Sequence, residues 1–235
     1  TEVDGRLLRV GEDVDRFYVL QNDGIYQSDA EVPVKDGKKM TVNGVEMKAG
    51  DPKWVDRNGD NKITDEDKVL KGHSLPKYTG GFSTQLKFKR FDLGASFFFA
   101  AGQSAMNYRA YQQYDFTTLD KGDNLAGVKE IFFWQSGNVP MDYPRYNALS
   151  EVHPYRADQD LYLEKVSYLK LRSVTLGYSV PTPKHDVYVY VSGNNLFTVS
   201  KFSGDDPELV DFDGYYRGYG MGIPRSVTLG VRCSF

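Results

Sequence analysis

The sequence contains a single cysteine, Cys233, among its 235 residues. No internal disulfide can form, so cysteine usage indicates no redox compartment. The sequence also lacks any run of about 18 apolar residues, which excludes a transmembrane helix. Its 29 basic and 32 acidic residues give a net charge of −3, and lysine and arginine form no cluster. Nucleic acid is therefore not an expected partner, because phosphate backbones require a basic surface.

Glycine and aromatic residues are abundant, with 23 Gly, 17 Tyr and 14 Phe. This composition suits strands and turns and disfavours a helical bundle. The mean hydropathy is low, as in a soluble protein. A membrane β-barrel also has low mean hydropathy, because lipid-facing and lumen-facing side chains alternate along each strand. The alternation of apolar and polar residues along individual segments therefore distinguishes a soluble protein from a membrane β-barrel.

The last ten residues alternate most regularly. One face carries Val227, Leu229, Val231, Cys233 and Phe235, and the other Ser226, Thr228, Gly230, Arg232 and Ser234. An amphipathic last strand that ends on an aromatic residue resembles the signal recognised by the barrel assembly machinery of outer membranes, which makes Phe235 a predicted assembly signal. The alternative is an ordinary half-buried terminal strand.

Four further strands follow from the same two-residue period. Residues 82–88 and 91–99 alternate around Lys89-Arg90 and predict a tight hairpin. A second hairpin is predicted from a strand over about 167–180, a turn at 181–184 and a strand through Val187, Val189 and Val191. With the terminal strand this gives five strands of about ten residues, a length that crosses a bilayer at a tilt.

The connections between these strands alternate between short and long ones, as in outer-membrane barrels with short periplasmic turns and long external loops. We expect residues 78–235 to form barrel strands with external loops at about 102–162 and 198–222. Residues 1–77 would then form a further external loop region. A soluble sandwich would not be expected to sort its loops by length in this way.

Five collinear stretches resemble the C-terminal part of SusC/RagA-like TonB-dependent transporters. They are Asn22–Ser28, Gly50–Asp56, Leu75–Phe82, Tyr168–Tyr178 and Val191–Phe197. The resemblance implies a large antiparallel transmembrane β-barrel of about 22 strands with a plug. It also implies nutrient import across a Gram-negative, Bacteroidetes-type outer membrane. TonB would energise the import of oligosaccharides or peptides, and a SusD-like surface lipoprotein would be the partner.

The resemblance leaves the transport machinery incomplete. Nothing in the chain resembles the plug or the segment that contacts TonB, and five strands would leave two unpaired edges in outer-membrane lipid. Thr1-Glu2-Val3-Asp4 also lacks the basic start and apolar core of a signal peptide. Either the protein is soluble, or we expect the export signal and the earlier strands to lie outside the residues given.

Residues 56–67 have the spacing of a calcium-binding loop. Oxygen ligands would come from Asp56, Asn58 and Asp60, from the Lys62 carbonyl and from Asp67 at position 12. Position 6 is Asn where glycine is usual, and position 12 is Asp where a longer Glu is usual. Asn is the non-glycine residue best suited to a positive φ. We predict a structural calcium ion; the alternative is an Asp/Asn-rich turn that caps a short helix over 64–70.

The loop at 198–222 is rich in aromatic residues, whose rings could stack on sugars or contact a lid protein. Those predicted to do so are Phe212, Tyr215, Tyr216 and Tyr219; the alternative is ordinary packing within the loop.

We expect no enzymatic activity. The three histidines, His73, His153 and His185, lie in separate segments without a nucleophile motif. The pairs Asp205-Asp206 and Asp211/Asp213 could be read as the acid and base of a glycosidase, but paired acids in a Gly/Tyr-rich loop more often mark a solvated turn.

The alternative function is a soluble, secreted, calcium-binding β-domain that binds carbohydrate. The two readings differ in where the apolar strand residues go. A transporter exposes them to lipid, whereas a sandwich packs them against a second sheet. The residues that discriminate are Phe82, Leu86, Phe97, Leu176, Val189 and Leu229.

Overall fold

The computed structural model describes residues 2–3, 6–114, 133–136, 143–146, 150–183 and 186–234. These residues form two compact units. The first contains Thr1–Ser74, Met106–Leu163 and Tyr215–Arg217, and the second contains Leu75–Ala105, Glu164–Gly214 and Gly218–Phe235.

The described residues are mostly β-strand. The elements up to residue 71 are β1 Glu2–Val3, β2 Arg6–Leu7, β3 Phe17–Leu20, β4 Asn22–Ile25, β5 Val34–Lys35, β6 Lys38–Lys39, β7 Thr41–Val42, β8 Val45–Glu46, β9 Pro52–Trp54, β10 Lys62–Ile63 and β11 Lys68–Lys71. The later elements are β12 Tyr78–Phe88, β13 Phe91–Ala101, β14 Ser104–Asn107, α1 Tyr108–Tyr114, β15 Leu163–Lys165, β16 Tyr168–Val180, β17 Asp186–Asn194, β18 Thr198–Ser200, β19 Tyr215–Tyr216 and β20 Ser226–Ser234. Short 3-10 helices span Asp29–Glu31, Asp65–Asp67, Asp160–Tyr162 and Pro207–Leu209.

The second unit is built on one antiparallel sheet in the order β12-β13-β16-β17-β20. This order confirms the five predicted strands. The β12-β13 hairpin closes at Lys89, whose φ of +55° makes the tight turn. The short β18 pairs with the beginning of β16, where Tyr168 lies opposite Ser200. Short turns join β12 to β13 and β16 to β17, whereas the segments that join β13 to β16 and β17 to β20 are long and contain further short elements.

The sheet has one apolar face, and that face is exposed. Phe82 is 54% exposed, Leu176 48% and Leu229 76%. Leu86 is also exposed, while Phe97 and Val189 are half-buried. An ordinary soluble sandwich would bury this face against a second sheet. In the described part of the chain the face meets no such sheet, which contradicts the packing required by the soluble alternative.

The opposite face of the sheet is polar, and two tyrosines of β17 lie across glycines of neighbouring strands. A Cβ placed on Gly177 of β16 would lie 1.8 Å from the hydroxyl of Tyr188. That hydroxyl donates a hydrogen bond of 2.7 Å to Asp92 of β13, so the Tyr188 ring spans β16 completely. On the other side, a Cβ on Gly230 of β20 would lie 2.3 Å from the ring of Tyr190. Glycine at these positions provides the space that the rings occupy.

The first unit has a core around Trp54 at the end of β9. The buried side chains that pack in it are Leu20, Tyr26, Val32, Met40, Val42, Met47, Trp54, Ile63 and Val152. The indole Nε1 of Trp54 donates to Oε1 of Gln159 at 2.9 Å, and Gln159 Nε2 donates to the Pro154 carbonyl at 2.8 Å. Both polar groups are therefore satisfied inside the core, as burial requires.

A second cluster in the same unit is rich in aromatic residues. Tyr114, at the end of α1, lies edge-on to Tyr143 with ring centroids 5.1 Å apart. Phe17 of β3 makes a similar contact with Tyr215, at 6.0 Å and 79°. These edge-to-face pairs add to the stabilisation that burial of the rings supplies.

The short helix considered over residues 64–70 does not form. Only Asp65–Asp67 is helical, as a 3-10 turn, and Lys68–Lys71 continues as β11, which pairs with β3. The pairing with β3 overrides the local helical tendency of the acidic stretch.

In the part of the chain that the structure describes, no helix combines the length and the apolar character needed to cross a membrane.

Candidate functional site

The Asp/Asn loop at 56–67 is organised by its own side chains. Asp56 accepts hydrogen bonds from the backbone N–H of Gly59 at 2.7 Å and of Asn61 at 2.8 Å. Asn58 Oδ1 accepts from Asp60 N, and Asp60 Oδ1 accepts from Lys62 N, both at 2.9 Å. These bonds draw three of the predicted ligand side chains into one compact turn, while each carboxylate keeps lone pairs for a further partner.

The backbone of the loop turns at two positions of positive φ. Gly59 has a φ of +73° and Asn61 has a φ of +65°. Asn61 thus adopts the conformation that glycine provides at the equivalent place in a calcium loop. Directly after it, Lys62 and Ile63 form β10 alongside β7, and Ile63 is buried in the Trp54 core. The loop is therefore anchored at this end by a short strand and an apolar side chain.

Asp67 at position 12 is completely buried. Its oxygens accept from the backbone N–H of Arg57 and of Thr64, each at 2.8 Å, and the hydroxyl of Thr64 lies 3.4 Å away. Asp67 and Thr64 form a capping box around the 3-10 turn. All of these donors are uncharged. A buried carboxylate with neutral donors is an environment that a bound cation would stabilise.

Charges of both signs lie near the loop, since Lys35 Nζ donates to the Gly59 carbonyl at 2.5 Å and Asp56 contributes to the negative field at Tyr26. Burial, together with the negative charges of Asp51, Asp56 and Glu31, raises the pKa of Tyr26 to about 12. A negative field at Tyr26 that includes Asp56 is consistent with a site for a hard cation.

The loop carboxylates do not converge as a tight cluster. Among the described residues, the group of three acid or histidine side chains with ligand atoms within 4.8 Å of one another is Asp13, Asp15 and His73. His73 Nδ1 lies 3.2 Å from Asp15 Oδ1, the distance of an ordinary hydrogen bond. A cation in the 56–67 loop would therefore require Asp56, Asp60 and Asp67 to move closer together.

A pair of ionic contacts stabilises the strand that follows the loop. Lys68 Nζ lies 2.9 Å from Asp65 and 3.1 Å from Asp158. Burial alone would raise the pKa of Asp158, but the hydrogen bond and charge of Arg156 and the charge of Lys68 outweigh it and hold the pKa below its usual value. The attraction of Asp158 for Lys68 thus helps to hold the segment after the loop to residues 156–158.

The aromatic residues predicted to contact cargo or a lid separate into two groups. Phe212 is 88% exposed and Tyr219 is also largely exposed, so both remain predicted contact residues. Tyr215 and Tyr216 form β19 and pair with β14. Tyr216 is completely buried, which corrects its assignment, because a buried ring presents no face to a ligand. Tyr215 packs edge-on to Phe17, which agrees with the alternative prediction of ordinary packing for this residue.

The structure shows a charged cluster that the sequence reasoning missed. Lys170 of β16 is only 1% exposed, and its Nζ lies 3.2 Å from Asp206 and 2.5 Å from Glu208. Arg172 also contacts Glu208 with two guanidinium nitrogens. The sequence assigns Asp206 only to a catalytic pair or to a solvated turn. The two-residue period gave no signal for the cluster, because strict alternation would put Lys170 and Arg172 on the apolar face with Leu176. A register shift in the pairing of β13 with β16, between Ser96 and Phe97, breaks that alternation.

A polar groove of about 660 Å³ lies along the polar face of β12, β13 and β16. Its lining residues include Ser83, Gln85, Lys87, Asp92, Ser96, Ser173 and Thr175. Hydroxyl, amide and charged groups on this face suit contact with water, unlike the apolar face behind it.

Several predicted positions lie outside the described part of the chain. They are Phe235, the predicted assembly signal, His185, Lys184 of the predicted turn, and residues 115–132, 137–142 and 147–149 of the predicted loop at about 102–162. The catalytic reading gains no geometric support from the histidines that are described, since His73 contacts Asp15 and His153 lies in a turn with a φ of +51°.

Comparison with curated proteins finds TonB-dependent receptors. The chain is 29% identical over 211 residues to TonB-dependent receptor P3 of Formosa agariphila, covering 86% of this chain and 19% of that protein. It is 28% identical over 244 residues to TonB-dependent receptor P26 of the same organism, covering 97% and 23%. It is 28% identical over 194 residues to TonB-dependent receptor SusC of Bacteroides thetaiotaomicron, covering 77% and 17%. The chain thus spans about a fifth of the length of these relatives. No model of a protein family matches it.

Comparison with solved structures finds the same class of fold. The chain superposes on the RagAB peptide importer in its open-open state with a TM-score of 0.67 and 19% identity, covering 99% of this chain and 23% of that one. The closed-closed state gives a TM-score of 0.68 at 19% identity, with 98% and 24% covered. The predicted fold, a group of antiparallel strands from a large transporter barrel, is confirmed. The sequence and the fold together confirm that this chain resembles the C-terminal part of a SusC/RagA-like TonB-dependent transporter.

Proposed function

We propose that the chain supplies barrel wall and outer loops to a TonB-driven importer of the Gram-negative outer membrane. The observation that carries this proposal is the antiparallel sheet with an exposed apolar face and a polar opposite face. Such a sheet is stable in lipid only as part of a closed barrel, because its edge N–H and C=O groups need partners there. The relatives are named receptors or importers rather than enzymes, which supports transport without a chemical reaction at these residues.

The proposed cargo is an oligosaccharide or a peptide, and the proposed partner is a SusD-like surface lipoprotein. The similar solved structure is described as a peptide importer, which supports the peptide class, while the oligosaccharide class rests on the resemblance to SusC-like transporters. TonB would act through parts of the protein outside this chain. Recognition by the barrel assembly machinery would depend on Phe235. The external loops, 1–77, about 102–162 and about 198–222, would then face the partner and the cargo.

This function predicts that loss of the gene and loss of TonB have the same nutritional effect. Wild-type cells, cells lacking the gene and cells lacking TonB would be grown on mixtures of oligosaccharides and of peptides, and depletion of each oligomer from the medium measured by mass spectrometry. At least one class of oligomer is expected to persist with both mutant strains and to disappear again after complementation. Equal depletion by wild-type cells and cells lacking the gene, for every oligomer tested, would contradict an import function.

We propose further that the 56–67 loop holds a structural calcium ion. Asp56, Asn58, Asp60 and Asp67 would supply side-chain oxygens, and Lys62 its carbonyl. The ion would balance the buried charge of Asp67 and stiffen the loop. The positive φ at Asn61 and the neutral donors around Asp67 support the proposal.

The calcium proposal predicts selective loss of binding in Asp60→Asn. The asparagine retains the side-chain oxygen that accepts from Lys62 N but removes one negative charge. After chelator treatment, calorimetric titration of the purified full-length wild-type protein with calcium is expected to give a heat of binding. The calcium affinity of the variant is expected to be at least about tenfold lower. Asp36→Asn, a change in an exposed turn at a φ of +51° that asparagine tolerates, serves as the matched control. Wild-type protein that gives no calcium-dependent heat, or equal affinity in Asp60→Asn, would exclude this site.

A further inference from the structure

The segment that follows β18 is attached to the sheet at two points. We call residues 201–210 the strap. Near its start, Ser203 donates from its backbone N–H to Glu164 Oε2 at 2.8 Å and from its hydroxyl to Glu164 Oε1 at 2.6 Å. Phe202 beside it is buried, and its N–H donates to the Ser200 hydroxyl at 3.1 Å. This end of the strap is therefore fixed by side-chain and backbone contacts together.

The other attachment is the charged cluster on β16. Lys170 lies between Asp206 and Glu208 of the strap, at 3.2 Å and 2.5 Å. Arg172 Nη1 donates to Glu208 at 3.1 Å, and Nη2 makes a second, shorter contact to the same carboxylate. Tyr168 donates its hydroxyl to Glu208 Oε1 at 3.2 Å. Glu208 thus receives three side chains from one strand.

The charges of this cluster balance, with two cations, Lys170 and Arg172, against two carboxylates, Asp206 and Glu208. A lysine as buried as Lys170 is tolerated only when it is paired and hydrogen-bonded. Removal of one partner from a buried pair leaves an uncompensated charge and is strongly destabilising. The cluster therefore specifies one position for the strap.

The strap also contains a capped 3-10 turn of its own. Asp206 caps the 3-10 turn by accepting from Glu208 N at 3.0 Å with one oxygen, while the other faces Lys170. Pro207 occupies the first position of that turn, where its fixed φ favours the helical conformation. The same residues that attach the strap thus also shape it.

An exposed aromatic tip follows the strap directly. Gly214 N donates to the Asp211 carbonyl at 2.8 Å and closes a turn, and Phe212 within this turn is 88% exposed. A large exposed ring on a fixed support loses little conformational freedom when it binds, which favours affinity. A ring on a free loop would lose more.

We infer that Lys170 and Glu208 are positioning residues that hold the strap on the polar face of the wall and so fix Phe212 as a pre-organised contact for the imported cargo. The binding role of Phe212 rests on the proposed import function, whereas the attachment of the strap does not. The contacts of Lys170 with the strap thereby determine the position of Phe212.

Hydrogen exchange and import assays of the full-length protein test this inference together. Glu208→Gln keeps the shape of the side chain but removes its charge. Amides of the strap are expected to exchange about tenfold faster or more in this variant, because the buried lysine loses a charged partner. The Lys170→Met/Glu208→Gln double variant is expected to exchange more slowly than the two single changes would predict if they acted independently. Lys201→Gln, which removes an exposed charge of the same strap, is the control.

Import measured at equal outer-membrane abundance separates attachment from binding. Glu208→Gln and Phe212→Ala are both expected to lower import, but only Glu208→Gln should accelerate exchange in the strap. Unchanged exchange in Glu208→Gln would overturn the attachment. Faster exchange with normal import would overturn the positioning role and leave the importer intact. Absence of import by the wild-type protein would refute the proposed function, and the exchange results would still decide the attachment.

Discussion

Leu176→Arg is expected to remove most of the full-length protein from the outer membrane, whereas Thr175→Arg is expected to leave it in place. The two residues are neighbours in β16 but lie on opposite faces of the sheet, Leu176 on the exposed apolar face and Thr175 along the polar groove. An arginine facing lipid near the middle of a barrel strand costs about 2 to 4 kcal/mol, whereas an arginine in the lumen can remain hydrated.

Outer-membrane abundance and heat-modifiable mobility on gels measure the effect. A folded barrel migrates differently before and after boiling, so loss of the folded species in Leu176→Arg can be separated from lower expression. If Thr175→Arg removed as much folded protein as Leu176→Arg, or more, the apolar face would not meet lipid.

Trp54→Ala is expected to destabilise the first unit by about 3 to 5 kcal/mol. The side chain is almost completely buried, and its removal both deletes a large ring and leaves a cavity. Gln159 would also lose the indole donor at 2.9 Å while remaining completely buried. Hydrogen exchange of the peptides around β9 and β3 in the full-length protein would report the loss.

Trp54→Phe separates these two causes. The phenyl ring preserves most of the packing, but Oε1 of Gln159 is left without its donor, at a cost of about 1 to 3 kcal/mol. The expected order of exchange rates is therefore wild type, then Trp54→Phe, then Trp54→Ala. Equal protection in all three proteins would show that this core does not limit local opening.

The strands of the sheet were predictable because their side chains follow a two-residue period, which is broken by a register shift between β13 and β16 at Ser96/Phe97. The pattern over about 167–180 became β16 at Tyr168–Val180, and the Lys89-Arg90 turn was found where predicted. A face that meets lipid must be apolar along its whole length, so the period is sustained over many residues. The positive φ expected of Asn61 was predictable for a local reason, since few residue types tolerate that conformation.

The strands of the first unit were not predictable because they are short and depend on distant partners. Lys68–Lys71 looked like the end of a helix, but its partner is Phe17–Leu20, about fifty residues earlier. Tyr216 looked like its exposed neighbours, yet parallel pairing with residue Asn107 buries it. Similarly, nothing close in sequence connects Lys170 with Glu208. Contacts of this kind depend on tertiary structure, which local patterns do not encode.

The tyrosines that cross the glycines of neighbouring strands link positions that are far apart in the chain. A side chain larger than hydrogen at Gly177 would require Tyr188 to give way, and with it the hydrogen bond to Asp92. The same exclusion ties Gly230 to Tyr190. In homologous proteins the two positions of each pair should therefore covary. A bulky residue at one position should be accompanied by a small residue at the other.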